Sequence, residues 1–249
     1  MTPGVAAAVL IVGDEILSGR TQDTNLGTLA RFLGVRGIDV AEARVVADVT
    51  EAIVDALREL CGRYDYVFST GGIGPTHDDI TADAVAEAFE VELREHPEAL
   101  EILRGRYGDD LNDARRRMAR IPVGGTLIAN PVSHAPGFQI GNLFVLAGVP
   151  GIMAGMLEDV GHRLQGASPV VSRTVRVEGV GEGVLAGPLG SVAKAHPALS
   201  LGSYPFFSPE GFGSNLVVRG RDAAAVDAAV AELLAAFAEA GVAAEPSDS

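Results

Sequence analysis

The chain has 249 residues, 47% apolar and 21% charged, with mean hydropathy +0.25 and 31 glycines. That balance supports one large hydrophobic core, or a medium core beside a small one, and excludes disordered, fibrous and disulfide-scaffold classes. Nineteen Lys and Arg against 33 Asp and Glu leave a net charge of −14, a field that repels nucleic-acid backbones and anionic lipid. A small phosphate-bearing ligand remains admissible, because a divalent metal and oriented backbone N–H groups offset its charge locally. The single cysteine, Cys61, excludes an intrachain disulfide and a cysteine zinc cluster. No apolar run approaches the roughly 18 residues of a membrane span, and no cationic leader precedes Ala6, so the expectation is a cytoplasmic protein without a membrane partner.

Ala6 to Val12 is a near-continuous apolar run, the pattern of a parallel-sheet strand covered on both faces. Leu26, Leu29, Ala30 and Leu33 recur at helical spacing before Gly34 and Gly37, and Asp39 to Val46 reads as a weaker strand. Thr50 to Arg63 is helical, with Ile53, Val54, Leu57 and Leu60 on one face, and Asp48 three residues before Glu51 resembles a capping box. Cys61 lies in that helix and is assigned to packing. Tyr66 to Thr70 is the next apolar strand, so strand and helix alternate over the first 70 residues and predict a doubly wound α/β sheet. Residues 81 to 120 read as helical, with Val85, Ala88 and Phe89 on one face and breaks at Pro97 and at Gly108 to Asp110. Seven of the 19 basic residues, from Arg94 to Arg120, crowd this stretch among acids, as on a solvated helix surface or reaching toward a small ligand. Short strands at Thr126 to Ala129 and Gly137 to Ile140 precede a third apolar strand, Leu143 to Ala147. A helix over Gly151 to Leu164 then carries Ile152, Met153, Met156, Leu157 and Val160 on an apolar stripe.

Beyond Gln165 to Pro169 the pattern changes. Thr174-Val175-Arg176-Val177-Glu178 alternates, as a strand with one wet face does. The chain therefore divides into a first domain over 1–168, a small α+β domain over 169–242 and a frayed tail over 243–249. Within the second domain the expected elements are a strand at 171–178, a helix at 181–195, strands at 199–204 and 214–219, and a helix at 223–240.

The chemistry concentrates where strands end. Ser69-Thr70-Gly71-Gly72-Ile73-Gly74-Pro75-Thr76-His77-Asp78-Asp79-Ile80-Thr81 leaves an apolar strand and opens a helix, the place where open α/β sheets bind ligands. Its glycines let backbone N–H groups approach an anion, and the helix start adds the favourable end of its dipole. The dinucleotide and Walker fingerprints both fail here, since the residue three after Gly74 is His77 and no Lys follows. Asp78 and Asp79 in an anion loop would repel a phosphate without a cation between them, which points to a magnesium-type site; helix-start charge is the bland alternative. Gly13-Asp14-Glu15 at the end of the first strand, with Asp23-Thr24-Asn25 beyond, brings Asp14, Glu15 and Asp23 toward the same crevice, although Asp23 to Asn25 also reads as a helix cap. Gly148 and Pro150 supply the third strand end. His77 is a base by position only, and His134 lies in a turn-rich loop, Asn130 to Phe138, positioned to close over a ligand.

These strings, Gly13-Asp14-Glu15-Ile16-Leu17 with Asp23-Thr24-Asn25, Thr70 to Thr81, Asn130-Pro131-Val132 with Ala135 to Phe138, and Gly148-Val149-Pro150, together resemble the amino-terminal domain of the competence/damage-inducible protein A (CinA) family, within the molybdopterin-binding MoaB/Mog superfamily. The resemblance covers roughly residues 5 to 165, and the tail, including Gly202-Ser203-Tyr204-Pro205, is similar to the small KH-like domain that follows in that family. It implies a three-layer αβα domain with a mostly parallel sheet, and relatives that bind molybdopterin or hydrolyse the pyrophosphate of ADP-ribose or FAD with a divalent metal. The family's amidase domain is not expected here, nor the adenylyl-transferring domain of FAD synthases. Gly151-Ile152 stands where many members carry Ser-Glu. Gly187-Pro188-Leu189-Gly190 fits the KH loop pattern, but five basic against seven acidic groups over 169–242 argue against RNA.

The leading expectation is metal-dependent hydrolysis of a nucleotide pyrophosphate. In it Asp79 with Asp78 holds Mg2+, or alternatively Co2+; Asp14 or Glu15 positions or deprotonates the attacking water; and Gly71, Gly72, Ile73, Gly74, Pro75, Thr76, Gly148 and Pro150 surround the phosphate. The alternatives are a molybdopterin- or nucleotide-binding module without turnover and a vestigial pocket. Relatives imply a homo-oligomer, a dimer or trimer.

Overall fold

The computed structural model describes residues 4–209 and 211–247. Strand β1 (Val5–Val12) is buried over its last six residues, and its apolar side chains serve the two faces alternately, as sequence continuity requires of a covered strand. A single turn, α1 (Asp14–Leu17), precedes α2 (Asn25–Gly34), whose Leu29 and Leu33 are fully buried. Strand β2 (Ile38–Val46) alternates exposed positions with half-buried ones after the buried Ile38, because it is an edge strand. Helix α3 (Thr50–Arg63) and β3 (Tyr66–Thr70) follow, then α4 (Thr81–Ala88).

The stretch read as helical to residue 120, with breaks at Pro97 and at Gly108 to Asp110, is broken further than that. It holds β4 (Leu93–Glu95), α5 (Pro97–Tyr107), the short α6 (Asp113–Arg116) and β5 (Arg120–Pro122), flanked by 3-10 turns. β4 and β5 pair antiparallel, and α5 packs a small core of its own around Ala99, Leu103 and Ala119. Two three-residue strands far apart in sequence carry too few side chains to show a period. Strands β6 (Thr126–Ile128), β7 (Gly137–Ile140) and β8 (Leu143–Leu146) lead to α7 (Pro150–Gly161), with Pro150 in its first turn, where a missing N–H costs nothing.

The six-stranded sheet has the order β2-β1-β3-β8-β7-β6, parallel from β2 to β8 and antiparallel beyond. One face packs Ile53, Leu57 and Leu60 of α3 with Ala84 and Val85 of α4; the other packs Leu29 and Leu33 of α2 with Met153, Met156 and Val160 of α7. This is the expected three-layer α/β architecture. The chain runs from β1 outward to β2 and then returns across β1 to β3, so strand order reverses between β1 and β3.

By internal contacts the chain divides into two compact units, Gly4–Ala167 and a second beginning at Ser168. The second holds β9 (Val171–Glu178), α8 (Glu182–Ala195), β10 (Ser200–Ser208), β11 (Gly211–Gly220), α9 (Ala223–Glu239) and β12 (Ala244–Ser247). Its antiparallel sheet, ordered β10-β11-β9-β12, is covered by both helices over Val175, Val177, Leu216, Leu233 and Phe237. One expectation is corrected here. Residues 244–247, assigned to a frayed end, form an edge strand on β9, where Pro246 is tolerated because an edge position leaves one side of the strand unpaired; Asp248 and Ser249 lie outside the described residues. The helix expected at 181–195 is present as α8, and it holds Gly187 to Gly190 despite Pro188, so the KH loop pattern there is no loop. Among the described residues no helix is long and apolar enough to cross a membrane.

Candidate active site

The C-terminal ends of β1, β3 and β8 lie side by side, because β1 pairs parallel with β3 and β3 with β8. Their turns border one cavity of about 730 Å³ at the point where strand order reverses. Gly71 to Pro75 form one wall, Gly148 and Pro150 another, and Glu15, Asp48, Asp78 and Asp79 bring four carboxylates to it.

The glycine turn admits no side chains at its start. Gly71 and Gly72 have φ of +102° and +67°, and a Cβ on either would lie 2.2 Å from the Val12 carbonyl oxygen or from Thr81 Oγ1. Buried Thr81 closes the turn, its N–H donating to the Gly72 carbonyl at 3.0 Å and its hydroxyl to that of Gly71 at 2.9 Å. The Gly71 N–H donates to the Leu146 carbonyl at 3.2 Å, which removes it from the anion-binding set. The N–H groups of Gly72, Ile73 and Gly74 have no acceptor among the described residues and belong to the cavity wall. Thr76 does not line the cavity. Its N–H and hydroxyl both donate to Asp79 Oδ2, at 2.8 and 2.6 Å, so it orients that carboxylate rather than a phosphate.

Adjacent residues at a helix start point about 100° apart, and this separates the two acids after β1. Glu15 lines the cavity; Asp14 is exposed and borders a separate hollow with Leu17 and Arg20. Of the pair Asp14 or Glu15 expected beside the water, only Glu15 lines the cavity, while the Asp14 N–H donates to Asp48 Oδ2 at 2.9 Å. Asp48 itself was read as a cap, yet α3 follows Val49 without a side-chain cap bond. Partial burial pushes Asp48 above the ordinary carboxylate range; the Asp14 N–H opposes this, and the charges of Asp14, Glu15 and Asp78 add to it. Applying the strand-end argument to β2 as well would have found it. Asp23 does not reach the large cavity, and its Oδ1 accepts the Leu26 N–H at 2.9 Å at the start of α2, the bland reading.

Arg115 is the one cation among the described residues of the wall, held by the Asp110 carbonyl at 2.5 Å and by the Tyr107 ring at 4.5 Å. Behind the glycine turn, Arg117 donates to the Asp79 carbonyl at 3.3 Å, while Arg120 grips Asp83 through two bonds of 2.9 and 2.7 Å. Arg116 makes a similar fork with Glu95. The arginine-dense stretch therefore divides between cross-element ion pairs and the site. His77, 98% exposed, and His134, in a left-handed turn at φ +69°, are not in the wall.

Among the described residues no three His, Cys, Asp or Glu side chains converge as a metal-binding group. Mg2+ is commonly held by one or two carboxylates, with phosphate oxygens of a substrate and water completing its shell. Asp78 and Asp79 at the cavity, the latter with Oδ2 already engaged by Thr76, fit such a shared site and not a protein-only cage.

A family model described as "Probable molybdopterin binding domain" matches residues 8–166. The chain belongs to that family. A second model, "FAD synthase, middle domain", matches residues 169–246. Within the molybdopterin-binding domain family, the chain is 39% identical over 210 residues to a protein of Pyrobaculum arsenaticum, an alignment covering 80% of this chain and 79% of that one. It is 44% identical over 159 residues to a CinA-like protein of Citrifermentans bemidjiense, covering 61% of this chain and 38% of that longer relative. The crystal structure of the protein CinA with unknown function from Thermoplasma acidophilum matches with TM-score 0.61 at 36% identity, over 64% of this chain and 99% of that one. The CinA resemblance and the α/β fold read from the sequence are borne out.

Proposed function

We propose that the first unit hydrolyses the pyrophosphate link of a nucleotide of the ADP-ribose or FAD class. The observation that carries this reading is the juxtaposition, in one cavity, of three free backbone N–H groups (Gly72 to Gly74), the Arg115 guanidinium and four carboxylates. The N–H groups and Arg115 receive phosphate oxygens, and the charges of Arg117 and Arg120 behind the turn favour the same anion. Asp48 takes a proton from water as its oxygen bonds to phosphorus and the bridging P–O bond breaks; a carboxylate raised by burial is suited to that task. Glu15, in the wall of the same cavity, orients the water. Asp78 and Asp79 would hold a Mg2+, which would neutralise charge on the two phosphates.

Binding without turnover is favoured by one observation, the commitment of Asp79 Oδ2 to two hydrogen bonds from Thr76, which shape the turn. Incubation with ADP-ribose or FAD and Mg2+, with AMP measured by chromatography, separates the readings. AMP should appear with the parent and fall by at least a hundredfold in Asp79→Asn, which keeps side-chain size but halves the anionic pair. Tight binding without AMP in either protein would instead mark a carrier.

A further inference from the structure

Beside the main cavity and sharing Glu15, Gly148 and Pro150 with it lies a narrow recess of about 50 Å³. Two buried polar side chains in its wall have a polar atom without a partner among the described residues: Asn25 Oδ1, on a residue 4% exposed, and Thr70 Oγ1, on one 1% exposed. The orientation of Asn25 is decided by its amide nitrogen, which donates to the Gly148 carbonyl at 2.7 Å and leaves Oδ1 needing a donor. Thr70, the last residue of β3, shares its face of the sheet with Phe68, toward α2, where Asn25 begins the helix. A buried acceptor and a buried hydroxyl, each unsatisfied, are costly unless a bound group answers them.

We propose that this recess receives a sugar hydroxyl of the nucleotide, which donates its one hydrogen to Asn25 Oδ1 and accepts from the Thr70 hydroxyl. The inference rests on the nucleotide reading above and adds an orientation to it, with phosphates on the glycine turn and a ribose hydroxyl between β1, β3 and α2. Charge argues against a phosphate in the recess, whose ionisable wall groups among the described residues are the carboxylates of Glu15 and Asp23, while Arg115 belongs to the main cavity. The size admits a hydroxyl with its carbon, not a base.

The test is calorimetric titration of ADP-ribose carrying a methylene in place of the bridging oxygen, which is not hydrolysed, and, separately, of the matching methylene bisphosphonate in place of inorganic pyrophosphate, each with Mg2+, into the parent protein, Thr70→Val and Thr70→Ser. Valine matches the shape of threonine and removes a hydroxyl that is unsatisfied in the free protein, so the variant should fold at least as well as the parent. The ADP-ribose analogue should bind Thr70→Val roughly tenfold more weakly, the worth of one buried hydrogen bond, and near parent affinity should return in Thr70→Ser. The bisphosphonate, which carries no sugar, should bind all three alike. Unchanged affinity for the analogue in Thr70→Val would leave water as the occupant and overturn the subsite while the nucleotide reading stands. Equal weakening of both ligands would also overturn it, by making Thr70 a support of the turn. Failure of the parent to bind the ADP-ribose analogue and, in the same titration, FAD would remove both readings together.

Discussion

At the scale of single residues, the acids of the site differ by environment more than by type. Burial makes the charged form of Asp48 less favourable in the fold than in the unfolded chain, so its contribution to stability is present below the ordinary Asp value of about 3.9 and is lost as pH rises through the raised value of the folded protein. Asp48→Asn keeps an acceptor for the Asp14 N–H and is neutral throughout. Its melting temperature should match the parent's in acid and exceed it at neutral pH, while AMP release from ADP-ribose falls by about 10²–10⁴. Scanning fluorimetry across pH with the AMP assay checks both, and a variant that melts with the parent at every pH would show that burial does not strain Asp48. Cys61 illustrates the opposite case. Burial pushes its thiol up to about 11, so a thiol-directed disulfide reagent at pH 7.5 should modify the native protein far more slowly than the urea-unfolded chain.

At the scale of elements, turns position the site and each is held by one polar residue. Asn130, 6% exposed, holds the loop before β7: its amide nitrogen donates to Ser133 Oγ at 2.6 Å and the Ala135 carbonyl at 2.7 Å, and its Oδ1 accepts from the N–H groups of Val132 and Ser133. Ser133 and Ala135 line the cavity, and His134 between them is kept at positive φ. Asn130→Ala removes all four bonds and should cost about 2–4 kcal/mol in urea unfolding, with weaker ADP-ribose binding as the wall relaxes. An unchanged unfolding midpoint would place the organisation of that loop elsewhere.

At the scale of the whole molecule, the two units have separate cores, with no buried residue in common. Residues 1–168 alone should therefore fold cooperatively and bind ADP-ribose as the full chain does. Circular dichroism and calorimetry on the fragment decide this, and a folded fragment without affinity would assign part of the site to the second unit. The net charge of −14 and the placement of Gly187 to Gly190 within a helix argue that the full chain binds neither single-stranded RNA nor duplex DNA at about 150 mM salt. Fluorescence anisotropy measures it directly; a dissociation constant below the roughly 1–100 μM of non-specific binding would contradict the charge argument.

The three apolar strand runs were legible in sequence because a strand covered on both faces needs no alternation, and Tyr66–Thr70 and Gly137–Ile140 fall where the pattern put them. The glycine turn was legible for a related reason: positive φ at Gly71 and Gly72 leaves little choice of residue. Which carboxylates share a cavity was not legible, since one step of helical rotation turns Glu15 in and Asp14 out, and Asp48 joins them only because β2 lies beside β1. The same holds for Arg115, carried to the wall by a segment whose short strands, β4 and β5, pair across some 27 residues. Local pattern records what a residue's own element demands; convergence of side chains from different strand ends depends on strand order, helix phase and crossover, which are properties of the assembled sheet.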